Sequence, residues 1–343
     1  MSKKGNNGID AEGEIVELTP KQLLPLLLEH AKAGESVGIE GPPGAAKSEL
    51  VAQCAKAVNL HLYIGNCELE DSTDGKGLPF RDSENPHQVI WLKDRRYLMD
   101  HPVAFFHDEL PRGMVAVQGT KASMLLENRI DDIYLPKGTW HVWAGNRTAD
   151  KAGANRVPTI IYNRCYMYAV RYDAESHIEH EIVQGNVDML TIRYLRMKGD
   201  QAYSFDPAKK INPTPRAWST IMRRLHTHPD TEFATIAGRI GKGFASELMA
   251  FRDLAPSLPS PEEVMLNPTK ARVPDNVSAQ FLVTDMLADH ANKTSFDALV
   301  TYAKRLPSEM QAKFVKDSMI RTPEVASTKA FVEWGVKFAE VLR

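Results

Sequence analysis

The stretch "GPPGAAKSE" (41–49) follows the phosphate-loop pattern G-x-x-x-x-G-K-[ST], except that Ala46 stands at the second glycine. In such a loop the backbone N–H groups of Gly44, Ala45, Ala46 and Lys47 face a β-phosphate, helped by the partial positive charge of the helix that begins there. Gly41 and Gly44 supply the loop, and Gly41, Pro42 and Glu49 count with it as candidate nucleotide-binding residues. Lys47 is expected to neutralise the β- and γ-phosphates, and the Ser48 hydroxyl to ligate Mg²⁺. Ala46 reads as a helix start, where right-handed dihedrals suffice and a methyl is tolerated. A chance Gly-Pro turn before Lys-Ser is the plainer alternative. The strand before the loop and the helix after it favour the nucleotide.

About 60 residues downstream, "HDEL" ends an apolar run. Asp108 is placed to hold Mg²⁺ through water, and Glu109 to orient and activate an attacking water, while His107 points into the sheet interior. Asn146, closing "TWHVWAGN", is a candidate to hydrogen-bond the attacking water or the γ-phosphate. Arg164 in "YNRC" is a candidate arginine finger, adding charge to the nucleotide of a neighbouring subunit. Arg216 follows Pro213 and Pro215, whose fixed φ gives a rigid entry to the helix "RAWSTIMRRLH" and so sets the direction of the arginine. Taken singly, an asparagine at a strand end or an arginine is often structural. Arg223 and Arg224 read as a solvated helix face.

These residues need elements to hold them. "SVGIE" reads as a buried strand entering the loop and "AKSELVAQCAKAV" as the helix leaving it. "VAFFHDEL" (103–110) and "TWHVWAGN" (139–146) have the length of central parallel strands, with "MVAVQGTKASMLLEN" a helix between them. Strands alternating with helices imply an α/β core whose parallel sheet is covered on both faces, and its ligands bind beyond the carboxyl ends of the strands. Upstream, Thr19 and Pro20 open an amphipathic helix that Gly34 closes. The expected division is a flexible tail (1–18), the α/β core (19–173), a helical lid (174–260) and a helical C-terminal extension (261–343). In the extension, Trp334, Phe338 and Leu342 read as core or subunit-contact residues.

Composition sets the limits. The chain has 343 residues, 43% hydrophobic and 25% charged, with a formal charge of −2, so no global field draws it to nucleic acid. No apolar run approaches the roughly 18 residues of a membrane helix, and the polar start lacks the apolar core of a secretory signal. Cys54, Cys67 and Cys165 are odd in number and widely spaced, which argues against a disulfide framework or zinc site and for a cytoplasmic location.

The series GPPGAAKS, HDELPRG, ENRIDDIYLP, AGNRTAD, GANRVPTIIYNRC and PTPRAW, in that order and spacing, resembles the MoxR-type AAA+ ATPases over about residues 20–225. That family often has Ala before the loop Lys, as Ala46 stands here. The resemblance implies that Asn146 is the sensor-1 residue and Arg216 the sensor-2 arginine reaching the γ-phosphate from the lid. It also implies that Arg164 matches the finger of a D-R-F ending, with Asn163 and Cys165 in place of its Asp and Phe; Arg156 in "GANR" is the alternative finger. "ELEDSTDGKGLPF" (68–80) would open the family's helix-2 insertion and "NRIDDIYLPKG" its presensor hairpin, both facing a pore. The expected activity is Mg²⁺-dependent ATP hydrolysis by a ring, a hexamer, that remodels a protein client and has a von Willebrand factor A domain protein as a possible partner. A nucleic-acid motor and a nucleotide-gated scaffold with little turnover are the alternatives. No basic stripe with stacking aromatics favours the former.

Overall fold

The Thr19 hydroxyl accepts from the Gln22 amide while the Gln22 side chain accepts from the Thr19 amide, and this capping box starts helix α1 (Pro20–Ala33). Gly34, at a φ of 69°, ends it as expected. These details come from a computed structural model, which describes residues 8–9, 15–147 and 157–337. The strands are β1 (Gly8–Ile9), β2 (Val16–Leu18), β3 (Val37–Glu40), β4 (Leu62–Asn66), β5 (Leu78–Arg81), β6 (Val89–Leu92), β7 (Ala104–Asp108), β8 (Arg129–Ile130), β9 (Ile133–Tyr134), β10 (Trp140–Gly145) and β11 (Tyr166–Val170). Seven of them form one sheet in the order β1-β2-β11-β3-β10-β7-β4, parallel throughout except for β1.

The parallel sheet between helices is therefore as the sequence implied. Helix α2 (Lys47–Ala57) follows β3, α3 (Ser72–Lys76) follows β4, α4 (Val115–Glu127) follows β7, and α5 (Thr159–Tyr162) precedes β11. Strand alternation sorts the side chains by face. Ala104 and Phe106 of β7, with Trp140, Val142 and Ala144 of β10, pack with residues of α1 and α2. Phe105 joins Met124 of α4 on the other face, where Trp143 meets Val117 and Ile161. His107 shares that second face and is buried, as expected.

Val16–Leu18 correct the expected tail: they pair parallel with β11, and Leu18 is buried in the core that α1 and α2 cover. Segment 78–92, which the sequence left unassigned beyond its opening residues, is a separate two-stranded hairpin whose eight strand residues are all exposed. The segment "NRIDDIY" forms a second small hairpin, β8–β9. The three cysteines are unbridged, and burial pushes each thiol up to about 12.

Packing groups the described residues into two units: the sheet with its helices through residue 177 plus residues 203–218, and the helices of 178–202 with those from 219 onward. Within the second unit, α6 (Met189–Lys198), α7 (Val277–Asp289) and α8 (Ser308–Arg321) share a buried knot of charge. Asp285 has no exposed surface and is surrounded by Arg321 at 2.5 Å, Arg196 at 3.3 Å, Arg193 at 3.5 Å and Lys313 at 3.6 Å. Asp289 takes Arg193 and Arg321 at 2.6 Å each, and Asp317 pairs with Lys313. Trp334 is buried with Phe296 and Phe314 in the apolar core beside them, whereas Phe338 and Leu342 fall outside the described residues. Arg223 is not merely solvated: its guanidinium holds the buried Glu181 carboxylate at 3.0 Å.

Candidate phosphate-loop site

The loop, β7 and β10 meet at the carboxyl edge of the sheet, beside β3, where the strand order reverses. Asp108 continues the face of Phe106 and so turns toward α2. Its Oδ2 accepts from the Ser48 hydroxyl at 3.5 Å. Asn146 continues the face of Ala144, and its Oδ1 accepts from Lys47 Nζ at 3.1 Å. On its other side, Asn146 Nδ2 donates to the Glu109 carboxylate at 3.3 and 3.4 Å. One amide therefore bridges the loop cation and the carboxylate, with Lys47 and Asn146 both buried. Lys47 also donates to the Gly41 carbonyl at 2.7 Å and the Pro42 carbonyl at 3.1 Å.

Close packing makes the loop shape. A Cβ on Gly41 would lie 2.5 Å from the Val170 carbonyl oxygen, so no side chain fits there. Gly44 has a φ of 78°, a left-handed conformation that glycine adopts freely. Tyr172 donates to the Pro43 carbonyl at 2.6 Å and pins the loop crest. Of the four amides expected to face a phosphate, that of Ala45 is engaged, donating to the Pro42 carbonyl at 3.2 Å.

Ala46 requires a correction. Its φ of 63° and ψ of 17° are left-handed, so the loop does need a glycine-like backbone at this position. The strain of an alanine there is roughly 1–2 kcal/mol. Ala46→Gly is expected to raise unfolding stability by about 1 kcal/mol, less than the full strain because glycine is freer in the unfolded chain. Urea unfolding of the two proteins checks this, and a destabilised variant would refute the strain.

Glu109 is also left-handed, at a φ of 53°, and half-buried. Its carboxyl is raised above its ordinary range, first by burial and then by Asp108 and Glu68, against the opposing pull of Lys47 and Arg112. Proton affinity is thus nearer neutrality than in a free glutamate, which suits a group that takes a proton from water. The Ser48 hydroxyl and Asp108 carboxylate form a pair of hard oxygen donors. Among the described residues no cluster of three or more His, Cys, Asp or Glu side chains could hold a metal. A pair of protein oxygens completed by phosphate and water is the donor set that Mg²⁺ uses.

No protein-family model and no curated protein matches the chain. Among solved structures it resembles the Holliday junction branch migration motor RuvB of Thermotoga maritima, at 17% identity over 67% of each chain with a TM-score of 0.40. It also resembles NtrX of Brucella abortus in complex with ADP, at 13% identity over 94% of this chain and 68% of that one, with a TM-score of 0.43. Both likenesses are distant.

Lys47, Ser48, Asp108, Glu109 and Asn146 are therefore drawn together. Arg216 stands beside the loop: its Cβ lies 3.7 Å from where a Cβ on Gly44 would be. Arg164 is held elsewhere, donating from its guanidinium to the Ala122 carbonyl of α4. Glu49 accepts from Gln53 at 3.3 Å along the helix surface, and Arg156 falls outside the described residues. The sequence reading missed Glu40, a buried carboxylate at the end of β3 that accepts from the Tyr162 hydroxyl at 2.6 Å. Its signal was a charge ending a four-residue buried strand. It also missed Arg147, paired with Glu17 at 2.8 Å, which ties β2 to the segment after β10.

Proposed function

We propose that the chain is an ATP-hydrolysing AAA+ ring motor of MoxR type that remodels or activates a protein client. The observation that supports this best is the bridge from Lys47 through Asn146 to Glu109, beside Ser48 and Asp108 at the mouth of the loop. Glu109 orients the attacking water and takes its proton, and Asn146 fixes that carboxylate relative to the loop. Lys47, Gly44 and Ala46 hold the phosphates, and Arg216 adds charge from beside the loop. Ser48 and Asp108 would hold Mg²⁺, which would supply neutralisation of phosphate charge. A ring, taken here as a hexamer, gives Arg164 its use, since a finger serves the nucleotide of the next subunit. A client or partner with a von Willebrand factor A domain, and a cytoplasmic setting, complete the reading.

Steady-state ATP hydrolysis with light scattering tests it in wild type and Arg164→Ala. Turnover by a ring-sized species, falling about 10³-fold in the variant, is the expected result. Turnover by a monomer that ignores the substitution removes the ring. Strong stimulation by DNA or RNA that weakens with salt would favour a nucleic-acid motor. Rings that assemble on ATP without turnover would favour a scaffold.

A further inference from the structure

The turn at residues 67–70 joins β4 to the segment that carries the exposed β5–β6 hairpin, and it is fastened at three points: to the end of β7, to the helical turn that follows β7, and to α4. The Cys67 amide donates to the Asp108 carbonyl at 2.9 Å. That carbonyl belongs to the peptide bond leading into Glu109, whose own amide donates to Asp108 Oδ1 at 3.0 Å. Glu68 pairs with Arg112 at 2.7 Å, across the short helical turn Leu110–Arg112 that follows Glu109. Glu70 folds back over Gly65, where a Cβ would lie 2.3 Å from its Oε1, and takes the Lys121 ammonium of α4 at 2.7 Å.

The third point differs from the second in burial. The Lys121 side chain is 2% exposed and that of Glu70 is 11% exposed, against more than a third for both Glu68 and Arg112. A buried ion pair constrains both partners to one geometry, because either charge left alone in the interior is costly. A left-handed non-glycine residue such as Glu109 persists only where its surroundings over-determine the backbone. The peptide plane before it is held from one side by Cys67, and the anchors of the turn, Glu68 and Glu70, lie one and three residues further on. A Cβ on Gly113 would sit 3.0 Å from the Cys67 carbonyl oxygen, so the chain after Glu109 wraps closely on the same turn.

We propose that the 67–70 turn is a strut that sets the backbone of Glu109, and that Glu70 and Lys121 are positioning residues acting through it. This rests on the hydrolase reading above for its kinetic consequence, while the strut itself has a readout that needs no turnover. Loss of the pair loosens the peptide before Glu109 without touching the phosphate loop, so it lowers kcat and leaves KM for ATP unchanged.

Lys121→Met alone strands the Glu70 carboxylate in the interior and invites unfolding. The double variant Glu70→Gln/Lys121→Met removes both charges at similar size and is the test, made in the full chain. Expected are a kcat lowered roughly 10- to 100-fold by the misplaced carboxylate at unchanged KM, with a cooperative thermal transition retained. Hydrogen exchange is expected to quicken at the amides of residues 108–110, 112 and 113 and at Cys67, while β3 and β10 stay protected. Unchanged kcat with unchanged exchange overturns the proposal. A fall in kcat matched by a rise in KM, or exchange quickened across the whole sheet, assigns the pair to stability alone and also overturns it. Wild type without turnover overturns the hydrolase reading, and local exchange at 108–113 then decides the strut by itself.

Discussion

Glu109→Gln is expected to lower ATP turnover by about 10²- to 10⁴-fold, the usual contribution of a general base, while nucleotide still binds. The amide is isosteric, and its oxygen still accepts from Asn146 Nδ2, so the bridge to Lys47 survives. What is lost is the acceptor for the proton of water. A fluorescent nucleotide analogue measures binding and phosphate release measures turnover; undiminished release would remove Glu109 from the chemistry. The same group sets an acid limit. Its carboxyl is raised by burial, so the active carboxylate form is lost as pH falls through that raised value, and kcat declines on the acid side earlier than an ordinary glutamate would make it. The raised value carries a stability term of the opposite sense. The group favours the folded state below its unfolded pKa, and that contribution is lost as pH rises through the folded one.

The second large effect is on stability. Asp285→Asn is expected to cost about 3–5 kcal/mol, because it leaves Arg321, Arg196, Arg193 and Lys313 facing one another around a neutral amide in the interior. Burial by itself would raise the Asp285 carboxyl, but Arg321, Arg196 and Lys313 outweigh it and hold the group below its ordinary value. Its contribution is therefore present above the unfolded pKa and disappears as pH falls through the lowered folded one. Urea unfolding at neutral and acid pH measures both: a cost under about 1 kcal/mol at neutral pH would mean that the knot is surface decoration. Since α6, α7 and α8 all lend side chains to it, the loss should appear in all three helices together.

What could be read from sequence followed from period and punctuation. The apolar runs ending in Asp108 and Asn146 were legible as strands because buried parallel strands have no polar face to confuse the pattern, and Thr19, Pro20 and Gly34 marked α1 by capping chemistry. Lys47, Ser48, Asp108, Glu109 and Asn146 were legible as a group because each sits at a strand or loop end where the fold converges. The backbone of Ala46 was misread because the residue type suggested a helix, whereas its dihedral is fixed by the loop that must turn before α2 begins. The β5–β6 hairpin escaped because "LPFR" and "VIWL" lack alternation: apart from Arg81, both faces are apolar, and both are exposed. Glu40, Glu70 and Lys121 escaped because a buried ion pair or hydrogen bond between distant residues leaves no local period.

The thiols carry a practical consequence. Attack on a disulfide, a maleimide or an iodoacetamide needs the thiolate, and with Cys54, Cys67 and Cys165 all pushed up to about 12 there is almost none at neutral pH. The folded chain is thus a quiet background for labelling. An Asn85→Cys dye site in the exposed turn between β5 and β6 would react ahead of the three natives, and slower uptake of reagent by the natives would report local opening around each of them.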